Sequence, residues 1–190
     1  MQNETNLYFI ALIPQQKLLE EVIDIKRDML RFNAEKALKV MPHITLKAPF
    51  QLEVREHIHL LSWFQNLFIL NDPFYIQLKN FGCFPNPVSP VIYINPVLNT
   101  SVYALQKEII RSFKNSFPGN VHKVDLNFKP HMTIAYRDLS PEMFDIAWEE
   151  YKSKKFEAIF QVESFYLLQH DRKKWNIIDI HSLATATKSN

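Results

Sequence analysis

Pro42-His43-Ile44-Thr45-Leu46 returns later in the chain as Pro130-His131-Met132-Thr133-Ile134. The two histidines stand 88 positions apart (131 − 43) in 190 residues. Both copies are apolar and β-branched with no helical period, so both read as β-strands. In a strand, side chains two apart share a face. His43 therefore points with Thr45, and His131 with Thr133. Each half of the chain contributes one imidazole and one hydroxyl.

Working outward, Leu7 to Ile13 is an apolar run closed by Pro14, a short buried strand. Leu18, Val22, Ile25 and Met29 form a helical stripe over residues 15–32. Residues 43–50 are the first motif strand. A second helix is expected over 55–70, with Ile58, Leu61, Phe64 and Phe68 on one side. Residues 74–84 alternate as a strand, and Pro85-Asn86-Pro87 with Pro90 breaks the chain. The second half repeats this order. Residues 91–95 are a strand, and Val102, Leu105, Ile109 and Phe113 mark a helix. Residues 131–136 form the second motif strand. Ser140-Pro141 opens another helix. Residues 159–170 and 175–182 read as two further strands. Both halves thus run strand, helix, motif strand, helix, strand, and the second adds a terminal strand. A duplicated lobe with pseudo-twofold symmetry would set the two motif strands side by side at its axis.

Composition narrows the chemistry. The chain has only two glycines, against 11 prolines. Glycine-rich phosphate loops need several glycines in a short window and are excluded. A net charge of +2 is too small for a dedicated nucleic-acid binder but permits local basic patches. Cys83, the single cysteine, excludes an internal disulfide and a paired-cysteine metal site. The polar start, Met1 to Asn6, lacks the basic opening of a signal peptide, and Leu7 to Ile13 is far shorter than the ~20 residues that cross a bilayer. A soluble cytoplasmic protein is expected, with a frayed tail at Thr185 to Asn190.

Histidine alone titrates near pH 7 unperturbed, at ~6.5. Two of them flanking a phosphorus can divide proton transfer between a base and an acid. Threonine two residues on lies ~6.6 Å along the same strand face, where its hydroxyl can donate to a phosphate oxygen. Neither half is complete alone, which gives a reason for both copies.

With these motifs the chain resembles the two-histidine (2H) phosphoesterase superfamily, in its bacterial 2'-5' RNA ligase and RNA cyclic phosphodiesterase branch. The match covers nearly the whole chain. Leu7 to Pro14 is similar to the family's opening strand, and His43-Ile44-Thr45-Leu46 and His131-Met132-Thr133-Ile134 to its two signature motifs. Asn80-Phe81-Gly82-Cys83-Phe84 and Phe165 to Gln169 also resemble family segments. The resemblance implies an α+β fold: one bilobal domain over 1–190, with lobe one about 1–84 and lobe two about 91–184. Antiparallel-rich sheets would carry outer helices, and the two motifs would face across a central cleft. It implies catalysis by His43 and His131, with Thr45 and Thr133 on the substrate. His131 would be the base on water and His43 the acid. No metal or cofactor is implied, and the substrate would be a 2',3'-cyclic phosphate on an RNA terminus or small nucleotide. No membrane partner is expected, and the protein is expected to be a monomer.

Many relatives carry arginine five residues after the second histidine. Here that position is Tyr136, and Arg137 follows. On a regular strand Arg137 shares the face of His131, and Lys47 that of His43. Lys47, Tyr136 and Arg137 are therefore further substrate-binding candidates. Asp125 and Glu163 are candidate partners for a motif histidine. Phe50, Phe84 and Tyr136 are candidates to stack a base. His57 and His59 fall on a helix about 200° apart, so one metal cannot easily take both; no role is expected for His170. Hydrolysis is favoured over ligation, which needs two bound RNA ends. Two other classes stand beside this one: an RNA-end or nucleotide binder without turnover, and a histidine-metal hydrolase, which lacks ligands.

Overall fold

A computed structural model of the protein describes residues 4–69 and 71–183. The expected frayed tail and Leu70, at the expected end of the second helix, lie outside the described residues. Two four-stranded sheets are formed. The first has the order β2 (Ile44–Glu53), β1 (Thr5–Leu12), β7 (Ser164–His170), β8 (Trp175–Ser182). The second has the order β5 (Met132–Ala135), β4 (Val91–Pro96), β3 (Phe74–Phe84), β6 (Glu157–Val162). Every pairing is antiparallel. The two orders correspond position by position, so the fold is α+β with a pseudo-twofold relation between its sheets.

The sheets do not follow the sequence halves. β3, expected in lobe one, joins the second sheet, while β7 and β8 complete the first. Each half lends strands to the other, so no cut near residues 84–91 separates the lobes. The expected single strand over 159–170 is in fact β6 and β7. It breaks at Glu163, and its two parts belong to different sheets. The motif strands β2 and β5 are edge strands and approach each other across the cleft.

The elements follow local chemistry. β1 lies between two neighbours with both faces covered, and Tyr8 through Leu12 are all buried, as a continuous apolar run requires. α1 (Gln16–Asp28) buries Leu18 and Val22 and ends through a 3₁₀ turn, Met29–Phe32, at Asn33 in the left-handed region. α3 (Thr100–Ser116) starts at Asn99, whose side chain accepts from the amides of Ser101 and Val102. It buries Leu105, Ile109 and Phe113, each contributing about 1.5–3 kcal/mol. α5 (Pro141–Tyr151) starts at Ser140 with proline in its first turn. α2 is shorter than expected, spanning His57–Gln65. The Asn66 side chain donates to the Ser62 carbonyl at 2.7 Å and closes the helix there. Phe68, beyond the helix end, is 82% exposed, and Ile58, within the helix, faces solvent at 71%. No helix among the described residues is long and apolar enough to cross a membrane.

Candidate active site

His43 and His131 immediately precede β2 and β5. Each ring is held the same way. Nδ1 of His43 bonds the Met41 carbonyl at 2.7 Å, and Nδ1 of His131 bonds the Lys129 carbonyl at 2.7 Å. A carbonyl only accepts, so both rings carry their hydrogen on Nδ1 and keep Nε2 for chemistry. The orienting partner is a backbone carbonyl two residues upstream, not a carboxylate. Aromatic rings fix the remaining freedom. Phe9 packs on His43 at 4.9 Å between centroids, backed edge-on by Trp175. Phe84 and Tyr93 pack on His131 at 5.1 and 5.5 Å. Gly82 permits the second contact, since a Cβ there would meet the Tyr93 ring at 2.6 Å.

Both histidines, Thr45 and Thr133 line one cavity of about 500 Å³. Lys26, Tyr136, Arg137 and His170 share its wall, and among the described residues no carboxylate does. Its charged groups are thus all cationic or able to become so, which suits an anion. Among the described residues no three His, Cys, Asp or Glu side chains gather as metal ligands.

Burial lowers the pKa of His43 to about 4; the Met41 hydrogen bond opposes this, and the charges of Lys26 and His131 add to it. Burial also lowers His131, opposed by its bond to Lys129. In the free protein both rings therefore shed their protons below the ordinary ~6.5. A form with one imidazolium and one imidazole is most populated at acid pH. For a reaction using that form, kcat/KM should peak below pH 6.5 and fall as pH rises further. A bound phosphate anion raises both histidines, so the kcat optimum should lie at higher pH. The limbs would be macroscopic values of the pair. A kcat/KM still rising at pH 8 would contradict this.

The other expected site residues divide. Tyr136 and Arg137 line the cavity, but not as strand residues. β5 ends at Ala135, and Arg137 has φ 60°, which turns its guanidinium back over the Tyr136 ring. Lys47 does not reach the cavity. The β1–β2 register slips on each side of it, between Tyr8/Ile10 and between Ile10/Ala11, and the side chain turns into the core. There Lys47 pairs with Asp125 at 2.9 Å, both side chains buried, above the rings of Phe50 and Phe113. The expectation that Lys47 binds substrate is corrected accordingly. Asp125 orients no histidine; it also accepts from the amides of Ala48 and His122. Glu163 is exposed at the sheet crossover. Phe50 is core, whereas Phe84 supports His131. His57 bonds the Tyr8 hydroxyl at 2.9 Å and lies outside the cavity lining.

Sequence reasoning missed Lys26, His170 and Trp175. Lys26 had a signal: a lysine four residues after Val22, within an apolar stripe. His170 and Trp175 had none, because β7 and β8 reach the first sheet only through the crossover.

Residues 14–174 match the model of the 2'-5' RNA ligase superfamily. A Bacillus pumilus protein named "Putative phosphoesterase" is 26% identical over 173 residues, covering 90% of this chain and 94% of that protein. A Staphylococcus haemolyticus protein of the same description is 25% identical over 180 residues, covering 92% and 98%. Among solved structures, E. coli LigT complexed with 3'-AMP aligns with a TM-score of 0.65 at 13% identity, over 96% of this chain and all of that one (100%). TT0787 of Thermus thermophilus aligns at 0.64 and 17% identity, over 95% and 99%. The structural likeness extends the shared fold over almost the full length of both chains, and the family match spans both histidine motifs: this chain belongs to the 2'-5' RNA ligase superfamily.

Proposed function

We propose that the protein is a metal-independent phosphodiesterase that opens 2',3'-cyclic phosphates on RNA termini or small nucleotides, with 2'-5' ligation as the same ring opening by a ribose 5'-hydroxyl in place of water. One observation carries this reading: two identically oriented histidines, each just before an edge strand, and the two threonines on those strands share one cavity without a carboxylate among the described residues. E. coli LigT has been crystallised with 3'-AMP, phosphate, NADP+ and ATP, which supports a nucleotide or phosphate ligand here. One chain supplies both motifs, so a monomer suffices.

In hydrolysis a water oxygen attacks phosphorus. One imidazole takes the water proton, the P–O bond to a ribose oxygen breaks, and the other imidazolium protonates that oxygen. The products are one phosphomonoester and one free hydroxyl. Thr45 and Thr133 donate to non-bridging oxygens, which gain charge in the transition state. His43 is the harder ring to protonate, because it is buried and faces the Lys26 charge. It therefore acts as the base and His131 as the acid, the reverse of the order the resemblance implies.

The test is a screen against 2',3'-cyclic nucleotides and short cyclic-phosphate RNAs, with product regiochemistry read by phosphorus NMR. Turnover should persist in excess EDTA, because among the described residues the cavity offers no ligand set for a metal. Binding without turnover would favour a nucleotide-binding module. Loss of turnover on chelation, restored by one divalent ion, would favour a metal hydrolase.

A further inference from the structure

Lys26 lies on α1, outside both motifs, and is 2% exposed. Its ammonium donates to the Ala37 carbonyl at 3.0 Å and the Val40 carbonyl at 2.8 Å. An ammonium has three donors, so one remains. Among the described residues it has no carboxylate partner. Asp138 reaches the same segment, but its Oδ2 accepts from the amides of Glu35 and Lys36 at 2.9 Å. A buried charge without a counter-ion is costly and is normally paired. Burial accordingly lowers Lys26 to about 7. Yet the side chain borders the cavity that holds both histidines, and its charge is felt by His43.

We propose that Lys26 is the anion anchor of this cavity: its third N–H takes a non-bridging oxygen of the bound phosphoryl group on the His43 side. This deepens the phosphoesterase reading and rests on it for the identity of the natural ligand. The two carbonyls fix the ammonium in advance, so little side-chain freedom is lost on binding. The arriving anion supplies the missing counter-charge and holds Lys26 protonated. The same cation keeps His43 neutral, ready to accept a proton, before and after substrate binds. His43, His131, His170, Tyr136 and Arg137 are the other titratable or charged groups on this wall. Asp138 lies behind the 35–36 amides, and its second oxygen, Oδ1, is buried without a hydrogen-bond partner. It forms no ion pair with Lys26, so among the described residues the cavity wall supplies no counter-ion.

The experiment titrates inorganic phosphate into the full chain, with binding read by calorimetry and histidine and lysine resonances by NMR. Lys26→Met should weaken phosphate binding by ~10–100-fold, the range for a charge-assisted hydrogen bond. It should also raise the titration midpoint of His43, which a purely structural lysine at a distance would not do. Lys26→Arg should recover part of the binding. Wild-type phosphate affinity in a folded Lys26→Met protein would overturn the proposal. If Lys26→Met fails to fold, the wild-type Lys26 resonance decides. Its midpoint should rise when phosphate is bound, and an unchanged midpoint overturns the proposal. None of these readings needs turnover. A protein that binds phosphate through Lys26 but opens no cyclic phosphate would refute the activity and keep the anchor.

Discussion

Replacing His43 or His131 with alanine should lower kcat by ~10²–10⁴, because each variant loses one proton transfer. Thr45→Ala and Thr133→Ala should each cost less, ~10–10³, as losses of single neutral donors to a charged oxygen. A substrate with a very good leaving group separates the two histidines, since its departure needs no acid. His131→Ala should then recover most of its loss, and His43→Ala should not. Recovery by His43→Ala alone would restore the opposite assignment. Full activity of either variant on a natural cyclic phosphate would end the two-histidine mechanism. The readout is steady-state kinetics on both substrates, with circular dichroism to confirm that each variant is folded.

The largest effect on stability should come from Asp125→Ala. Asp125 closes a buried network with the Lys47 ammonium and the amides of Ala48 and His122. The Gln106 side chain also bonds its carbonyl at 2.8 Å. The network ties β2, which follows His43, to α4 (Lys123–Leu126), which leads toward His131. Removing the carboxylate leaves an ammonium in the core and should cost about 3–5 kcal/mol. For a chain of this size that corresponds to a fall in Tm of roughly 6–20 °C. Burial already pushes Lys47 down and Asp125 pushes it back up. Without Asp125 the lysine falls further, so the unfolded state binds the extra proton and the variant regains stability as pH rises. Lys47→Met combined with Asp125→Leu should recover much of the loss, because an apolar pair leaves no unpaired charge. Thermal melts at pH 6 and pH 9 check all three statements. A single variant melting with the wild type would show that the pair contributes nothing.

Although His43 and His131 fall one residue before β2 and β5, the strand character of both motifs was legible in the sequence, because strand alternation is local. So were α1, α3 and α5, whose stripes and caps at Asn99 and Ser140 depend only on neighbours. The resemblance to a known family rested on the same local patterns. Lys47 shows where local reasoning ends. It has the right offset from His43, but the register slips in β2 depend on β1, some 40 positions away, and turn the side chain into the core. The break at Glu163 is similar: the stretch 159–170 carries no turn signal, and only the separation of the two sheets divides it. The carbonyls that orient the histidines carry no side-chain signature. Lys26 stood in view as a lysine in an apolar stripe. Its role was decided by the 35–40 segment folding over it and by β5 arriving from the other half of the chain. Sequence thus determined which side chains were available and which faces they shared. Tertiary structure decided which became neighbours, because register, crossover and burial are set by contacts between residues far apart along the chain.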